Sequence, residues 1–240
     1  MPTHEITFLK HETIAEGTMA FHFHKPDGFR YKAGQSVDMT LIAPAETDAS
    51  GNTRAFSLVS APFENQLQVA TRLRDSAFKR TLRTLPAGGK VKIDGPFGSM
   101  TLHNRVERPA LFLAGGIGIT PFMSMLRQAG KDQAPHRLYL FYANRRSEDA
   151  PFLDELRQLE KANTNFTFVP TMTEADKSRQ PWQGETGYIR RELIAKHITD
   201  LSAPVCYVAG PPAMVAAMRG MLNGAGVDDD DIRSEEFAGY

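Results

Sequence analysis

The sequence predicts two domains, an antiparallel β-barrel or β-sandwich followed by an α/β domain built on a parallel sheet. Residues 5–101 form short, partly alternating apolar runs separated by Gly, Pro and Asn, which is typical of antiparallel strands. After residue 108, apolar runs alternate with helical patterns, which favours a parallel sheet with helices on both faces. We therefore predict domains over 1–104 and 109–240.

The first domain is predicted from six apolar runs and one helix. The helix over 77–85 ends at Pro86 and Gly88-Gly89, because neither residue type continues a helix. Strands are predicted at 6–8, 20–24, 36–41, 56–59, 67–71 and 91–93.

The second domain is predicted from four repeats of strand and helix. Strands are expected at 110–114, 138–142, 166–170 and 205–208, and helices at about 121–129, 150–161, 190–197 and 211–224. The acidic run Asp228 to Asp231 is predicted to be a solvated turn.

Composition excludes several classes of function. The 240 residues carry 28 Lys and Arg against 28 Asp and Glu, so net charge favours neither nucleic acid nor an anionic membrane as a partner. The N-terminus lacks a signal-peptide pattern, and the longest apolar run, around 110–119, is too short to span a bilayer, so we expect a cytoplasmic protein. Cys206 is the single cysteine, which excludes an internal disulfide and a cysteine-ligated iron–sulfur cluster on this chain. His22 and His24 lack a third ligand, so no metal site is predicted.

The segment from Ala110 to Met125 predicts a nucleotide site. A buried strand is followed by Gly115, Gly116 and Gly118, and Thr120-Pro121 then stand at a helix start. Glycines permit positive φ and close ligand approach, and a helix N-terminus favours phosphate. The spacing is not the Gly-x-Gly-x-x-Gly of a dinucleotide-binding unit, so by itself it equally fits an ordinary turn.

Two further segments of the first half carry candidate ligand residues. Arginine donates several N–H groups to a pyrophosphate and an aromatic ring suits a flat heterocycle, although an exposed Arg and a core Phe are also common on strands. The candidates are Arg54, Ala55, Phe56 and Ser57, and then Thr71, Arg72, Phe78, Lys79 and Arg80.

In the second half, candidates follow two predicted strands. Asn144, Arg145 and Arg146 stand where an α/β site contacts the nucleotide ribose, and two arginines favour a 2′-phosphate as readily as they fit a solvated turn. Gly210-Pro211 place a second loop at the carboxyl edge of the sheet.

Together these motifs, in this order, resemble the ferredoxin–NADP reductase superfamily. Arg54-Ala55-Phe56-Ser57 is similar to its flavin signature and Gly95-Pro96-Phe97-Gly98 to its barrel-closing motif. The pyridine-nucleotide loops correspond to Gly115 through Pro121 and Gly210 through Met214, and Glu235-Glu236-Phe237 is similar to the acidic and aromatic C-terminal segment.

The resemblance implies a flavin-binding antiparallel β-barrel joined to a Rossmann-like NAD(P)-binding domain, with FAD and NADPH or NADH meeting in the cleft. It implies hydride transfer from nicotinamide C4 to flavin N5. Arg54 would hold the pyrophosphate, Phe56 would pack on the flavin, and Ser57 would hydrogen-bond near N5. Thr120, Gly210 and Pro211 would line the nicotinamide pocket. Phe237 would cover the flavin, with Tyr240 as its rival, and Glu235 would orient the nicotinamide or relay protons.

Some expectations stay open. Ala209 replaces the family's cysteine. Separately, Ala77-Phe78-Lys79 replaces the family's usual phosphate helix, so FMN is an alternative to FAD. We expect a reductase that passes electrons to a ferredoxin, a flavodoxin, another cluster protein or a small oxidant. The alternatives are a reductase of free flavin or ferric chelates and a non-catalytic nucleotide-sensing module. The acceptor, direction of electron flow, nucleotide preference and oligomeric state are not determined by the sequence.

Overall fold

The computed structural model describes residues 3–237, which form two compact units. The first comprises the described residues up to Thr101 together with Thr120–Gln128, and the second comprises Leu102–Ile119 and the described residues from Ala129 onward. The helical segment Thr120–Gln128 belongs to the second half of the sequence, yet its contacts group it with the first unit. The domain bounds 1–104 and 109–240 stay a prediction.

The first unit contains a barrel-like antiparallel sheet of six strands in the order β4-β3-β6-β1-β2-β5. The predicted antiparallel class is confirmed, and β1 is longer than predicted because its first part pairs with β6 and the rest with β2. The elements are β1 (His4–Ala15), β2 (Thr18–His24), β3 (Ser36–Leu41), β4 (Thr53–Ser57), β5 (Gln66–Arg72), α1 (Ala77–Thr84) and β6 (Lys90–Phe97).

Alternation of side chains builds the core of this sheet. Val37, Met39 and Leu41 point inward from β3 while the residues between them are partly exposed. Phe21 and Phe23 of β2 are fully buried, and each such side chain contributes about 1.5–3 kcal/mol of burial free energy. The first half therefore forms a core of its own.

The second unit contains a six-stranded parallel sheet in the order β10-β9-β8-β7-β11-β12. β7 is buried along its whole length, as its uninterrupted apolar sequence predicts. The elements are β7 (Ala110–Gly115), α2 (Thr120–Lys131), β8 (Leu138–Asn144), α3 (Leu153–Ala162), β9 (Phe166–Met172), β10 (Glu185–Thr186), α4 (Arg191–Ala195), β11 (Val205–Gly210), α5 (Pro212–Gly224) and β12 (Ile232–Glu236).

Two features of the second unit differ from the predictions. β10 and β12 were not predicted, and β12 adds a parallel edge strand beside β11. The acidic run is not a solvated turn throughout, because Asp231 accepts two 2.8 Å hydrogen bonds from the Arg108 guanidinium. Among residues 3–237, no helix has both the length and the apolar character needed to cross a membrane.

Candidate functional site

The glycines at the end of β7 and just after it, Gly115, Gly116 and Gly118, meet two different steric requirements. Gly116 has φ +51°, in the left-handed region that favours glycine. A Cβ on Gly115 would lie 2.3 Å from Met214 Sδ, and one on Gly118 would lie 2.3 Å from the Ala209 carbonyl oxygen. Close packing against β11 and α5 therefore explains two glycines that the sequence analysis assigns to ligand approach.

The predicted second loop and the C-terminal segment meet at the carboxyl edge of the parallel sheet. Glu235 is in register with Ala209 on the neighbouring strand, and the Phe237 N–H donates a 2.9 Å hydrogen bond to the Gly210 carbonyl. Gly210 also packs against the end of β7, since its added Cβ would lie 3.2 Å from Gly115 N. The structure thus brings Gly115, Gly210, Glu235 and Phe237 together. Tyr240, the predicted rival of Phe237, lies outside the described residues.

The residues after β8 divide into three environments. Asn144 is buried with 7% of its surface exposed, and its side-chain Nδ2 has no hydrogen-bond partner within the described part of the chain. Arg146 donates to both carboxylate oxygens of Asp149 at 2.9 and 2.8 Å, and it also lies 3.3 Å from Glu148. Arg145 is exposed. The two arginines predicted to act alike therefore differ, because Arg146 is already held by carboxylates.

In the first unit, Arg54 lies on β4 and its side chain contacts Phe78 of α1. Its guanidinium stacks over the Phe78 ring at 5.2 Å and donates to the carbonyls of Ser50, Gly51 and Thr53 at 2.7–3.0 Å. It also donates to Asp48 Oδ1 at 3.1 Å, and Asp48 Oδ2 accepts the Ala77 N–H at 3.0 Å. An internal carboxylate thus occupies the anion-binding position formed by Arg54 and the first amide of α1.

Lys79 lies close enough to Arg54 and to Arg74 to interact electrostatically with both. Desolvation, followed by repulsion from Arg74 and Arg54, holds the pKa of Lys79 below its usual value. Desolvation opposes ionisation of Asp48, but hydrogen bonds from the Ala77 and Ser50 N–H groups and from Arg54 outweigh it and hold its pKa below its usual value. The cluster of Arg54, Arg74 and Lys79 therefore favours a bound anion.

The other predicted residues of the first unit are placed differently. The Arg80 guanidinium is bound by carboxylates of the chain itself rather than left for a ligand. It donates to Glu46 at 2.8 and 2.6 Å and pairs with Asp75 as well. Phe56 is 7% exposed in the barrel core, 5.9 Å from the Phe78 ring centre, which leaves little of its ring to contact a ligand. Ala55 is exposed on β4, Ser57 and Thr71 are buried, and Arg72 is half-buried at the end of β5.

Sequence reasoning missed Asp48, Arg74, Ser124 and Arg127. Asp48 lies in a polar loop with no local pattern that predicts its partners. Ser124 and Arg127 had a usable signal, since they stand three residues apart in an otherwise apolar stretch of α2. Cys206 is buried, and burial raises the pKa of its thiol to about 12, so it offers no reactive thiolate. No cluster of three or more metal-ligating side chains occurs between residues 3 and 237.

The chain is similar in sequence to known oxidoreductases. Residues 112–220 match the family model described as the oxidoreductase NAD-binding domain. Ferredoxin–NADP reductase B of Sorangium cellulosum is 29% identical over 225 residues, which cover 90% of this chain and 89% of that protein. The reductase component of propane 2-monooxygenase from Mycolicibacterium goodii is 26% identical over 89% of this chain and 61% of its own length. The chain spans about 60% of the length of several curated relatives that it matches.

The fold comparison agrees. A crystal structure of a ferredoxin NADP⁺ reductase from Neisseria gonorrhoeae with bound FAD and NADP superimposes with a TM-score of 0.80, covering 98% of each chain at 22% identity. That likeness supports the order of an antiparallel sheet followed by a parallel one. The chain is thus similar in sequence to a ferredoxin–NADP reductase and shares the fold of another, as its motifs indicate, and residues 112–220 match an oxidoreductase NAD-binding domain.

Proposed function

We propose that this chain is an FAD-dependent NAD(P)H oxidoreductase that passes electrons to a separate acceptor. The observation that carries the proposal is the cationic position at the start of α1, where Arg54 and the Ala77 amide bind the Asp48 carboxylate and Lys79 lies close enough to Arg54 to be repelled by it. A carboxylate and a phosphate oxygen accept the same donors, so these residues fit a pyrophosphate. The superfamily uses FAD and NAD(P)H, and this position supports FAD binding in the first unit.

Observations in the second unit support a nucleotide site. The buried Asn144 Nδ2 is an unused donor at the carboxyl end of β8, and burying such a group without a partner is costly. The exposed Arg145 beside it can reach a ligand phosphate, while Arg146 is engaged by Asp149. We assign Asn144 and Arg145 to the adenosine half of NAD(P)H, and Thr120, Gly210 and Pro211 to the nicotinamide half.

The protein's own contribution is binding and orientation. When bound, FAD would take a hydride at N5 from nicotinamide C4, two electrons and one proton, and later release the electrons to the acceptor. Ser57 would donate a hydrogen bond near N5. Glu235 would orient the carboxamide of the nicotinamide, and Phe237 would shield the flavin face from water.

The acceptor is proposed as a small redox protein. Two relatives are named as a ferredoxin–NADP reductase and as the reductase component of propane 2-monooxygenase, and each name pairs a reductase with a further protein or component. A ferredoxin, a flavodoxin or another iron–sulfur protein fits this role.

The visible absorption spectrum tests the proposal. Purified protein is mixed with FAD, separated from free flavin, and titrated anaerobically with NADH or NADPH. Retained flavin bands that bleach with one nucleotide support the reductase, and the faster nucleotide gives the preference. Weak flavin retention with rapid turnover of added flavin would instead identify a free-flavin reductase. Failure to retain FAD or to oxidise either nucleotide would contradict the proposal.

A further inference from the structure

Ser124 and Arg127 are the two polar residues in the otherwise apolar segment 121–127 of helix α2. Ser124 is fully buried, and the Arg127 side chain is only 13% exposed. Burying a hydroxyl or a guanidinium costs free energy unless each finds hydrogen-bond partners. Their contacts therefore show what this part of the helix is built to hold.

Both side chains bind one short segment of the first unit, the β4–β5 loop (residues 58–65), and the strand that follows it. Ser124 Oγ donates to the Ser60 carbonyl at 2.7 Å. Arg127 Nη1 donates to the Val59 carbonyl at 3.2 Å and to Gln68 Oε1 at 2.9 Å, and lies 3.4 Å from Glu64 Oε1. We call these contacts of Ser124 and Arg127 the α2 clamp.

The loop held by the α2 clamp is itself fixed. Tyr31 OH donates to the Ser60 carbonyl at 3.0 Å, and burial raises the pKa of Tyr31, so its hydroxyl stays protonated. Ser60 Oγ accepts the Gln68 N–H at 3.0 Å. Met125, the residue after Ser124, packs near Gly34, since a Cβ on Gly34 would lie 3.0 Å from Met125 Sδ. The α2 clamp therefore joins two segments that are each held by further contacts.

Each segment leads directly to a residue of the proposed reaction. Ser57, assigned to flavin N5, ends β4 three residues before Ser60. Thr120, assigned to the nicotinamide pocket, begins α2 four residues before Ser124. Both residues belong to the first unit, and the α2 clamp is a polar connection between their segments.

We propose that Ser124 and Arg127 are positioning residues that set the distance between nicotinamide C4 and flavin N5. The inference rests on the proposed function. With both cofactors bound, the C4–H bond would break and the N5–H bond would form, the hydride carrying both electrons, so that the flavin would be reduced by two electrons and NAD(P)H oxidised to NAD(P)⁺. A misplacement of about 1 Å lowers the rate of such a step about a hundredfold, so small shifts of α2 should change the rate of hydride transfer.

The test compares Arg127→Gln and Ser124→Ala with Arg127→Lys, which restores a charged donor. The matched control is Arg108→Gln in the second unit, where Arg108 likewise bonds a carboxylate, Asp231, and main-chain carbonyls. Stopped-flow reduction gives the limiting rate constant and the nucleotide Kd, and flavin fluorescence gives the FAD Kd. Hydrogen–deuterium exchange of the α2 amides, measured without flavin, reports the position of the helix independently of activity.

We expect Arg127→Gln to lower the limiting reduction rate about tenfold or more, a partial loss of alignment, while both Kd values change less than about threefold. Ser124→Ala should lower the rate less, and Arg127→Lys should recover part of it. Exchange of the α2 amides should quicken in Arg127→Gln and Ser124→Ala but not in the control.

Reduction at the wild-type rate in both α2 variants, with faster α2 exchange, would make the α2 clamp a structural anchor only and overturn the inference. An equal loss of rate in Arg108→Gln would overturn it as well. Failure of the wild-type protein to retain FAD or be reduced would be a failure of the proposed function, visible before any variant is compared.

Discussion

Asp48 binds the first amide of helix α1, with its Oδ2 accepting the Ala77 N–H at 3.0 Å. Ser76, the N-cap residue, accepts the Lys79 N–H through its own side chain. The two side chains together satisfy donors that a helix leaves open at its N-terminus. A carboxylate at this end of a helix is also favoured by the helix dipole.

Asp48 should compete with the FAD pyrophosphate for the same donors. Asp48→Asn removes the charge at nearly constant size, so we expect the FAD Kd to fall about three- to tenfold, the equivalent of about 1 kcal/mol at a helix N-terminus. Fluorescence titration measures the change. Asp27→Asn, an exposed carboxylate on the same unit, is the control. Weaker FAD binding in Asp48→Asn would mean that Asp48 builds the site by orienting Arg54.

Replacing Arg145 and replacing Arg146 should have different effects on the KM values for NADPH and NADH. Arg145→Ala should raise the KM for NADPH more than that for NADH if the exposed guanidinium meets a 2′-phosphate. Arg146→Ala should change both KM values alike, because this side chain holds Asp149. Steady-state kinetics with both nucleotides decides, and an equal effect of Arg145→Ala on the two would remove its assignment.

Ser57→Ala should slow flavin reduction while FAD stays bound. The variant deletes one donor near N5 and leaves a small side chain in a buried position, so we expect a reduction rate about ten- to a hundredfold lower. Single-turnover reduction under anaerobic conditions measures it. An unchanged rate would refute the role of the hydroxyl.

His103 should make the protein less stable in mild acid. The Tyr207 hydroxyl accepts the His103 N–H and donates to His103 Nδ1, while Nε2 donates to the Arg108 carbonyl, so the imidazole is bound in its neutral form. Desolvation, partly offset by the hydrogen bond to Arg108, holds the pKa of His103 below its usual value. Because the unfolded chain then binds this proton more readily, the contribution is present above about pH 6.5 and is lost as the pH falls below it.

The measurement is the free energy of unfolding between pH 7 and pH 5. We expect it to fall more steeply in the wild-type protein than in His103→Gln, which lacks the titrating group. The other ionisable groups facing His103 are His136, whose ring centre lies 4.9 Å away, Tyr207, Arg233 and Asp231. Equal slopes in the two proteins would assign the acid sensitivity to another group.

Gly118 should be replaceable only at a cost in stability. A methyl group there would lie 2.3 Å from the Ala209 carbonyl oxygen, so Gly118→Ala should lower the free energy of unfolding by about 1–3 kcal/mol. Gly220→Ala is the matched control, because its Cβ meets nothing within 4 Å inside α5 and should stabilise the helix by about 0.5–1 kcal/mol. Denaturant unfolding compares them. Equal stabilities would show that the loop can move aside.

An element can be predicted when the residues that indicate it lie within or next to that element. β7 was predicted because an uninterrupted apolar run needs burial on both faces, and α1 because Pro86 marks its end. β12 carries a single buried residue, Ile232, and gains its hydrogen bonds from β11, so nothing in its own composition marks a strand. The glycines of the nucleotide loop were found by pattern, but their steric reasons depend on Ala209 and Met214, far away in sequence.

The candidate site was predictable in its residue types and less so in their partners. Arg54 and Lys79 were identified from the sequence, and the contact between Arg54 and Asp48 depends on the path of the loop that carries Asp48. Arg80 and Arg146 were predicted as ligand residues, yet nearby carboxylates hold both. A basic residue in the sequence indicates a place where positive charge is needed, but the tertiary fold determines which anionic group pairs with it.

The burial of Cys206 gives the protein a built-in reporter of its own unfolding. The chain has one cysteine, it lies in β11 with no exposed surface, and burial raises its pKa to about 12. A maleimide or another thiol-reactive dye therefore labels this residue only when the strand opens. The labelling rate of the wild-type protein measures how often β11 separates from its neighbours in the parallel sheet, with and without nucleotide.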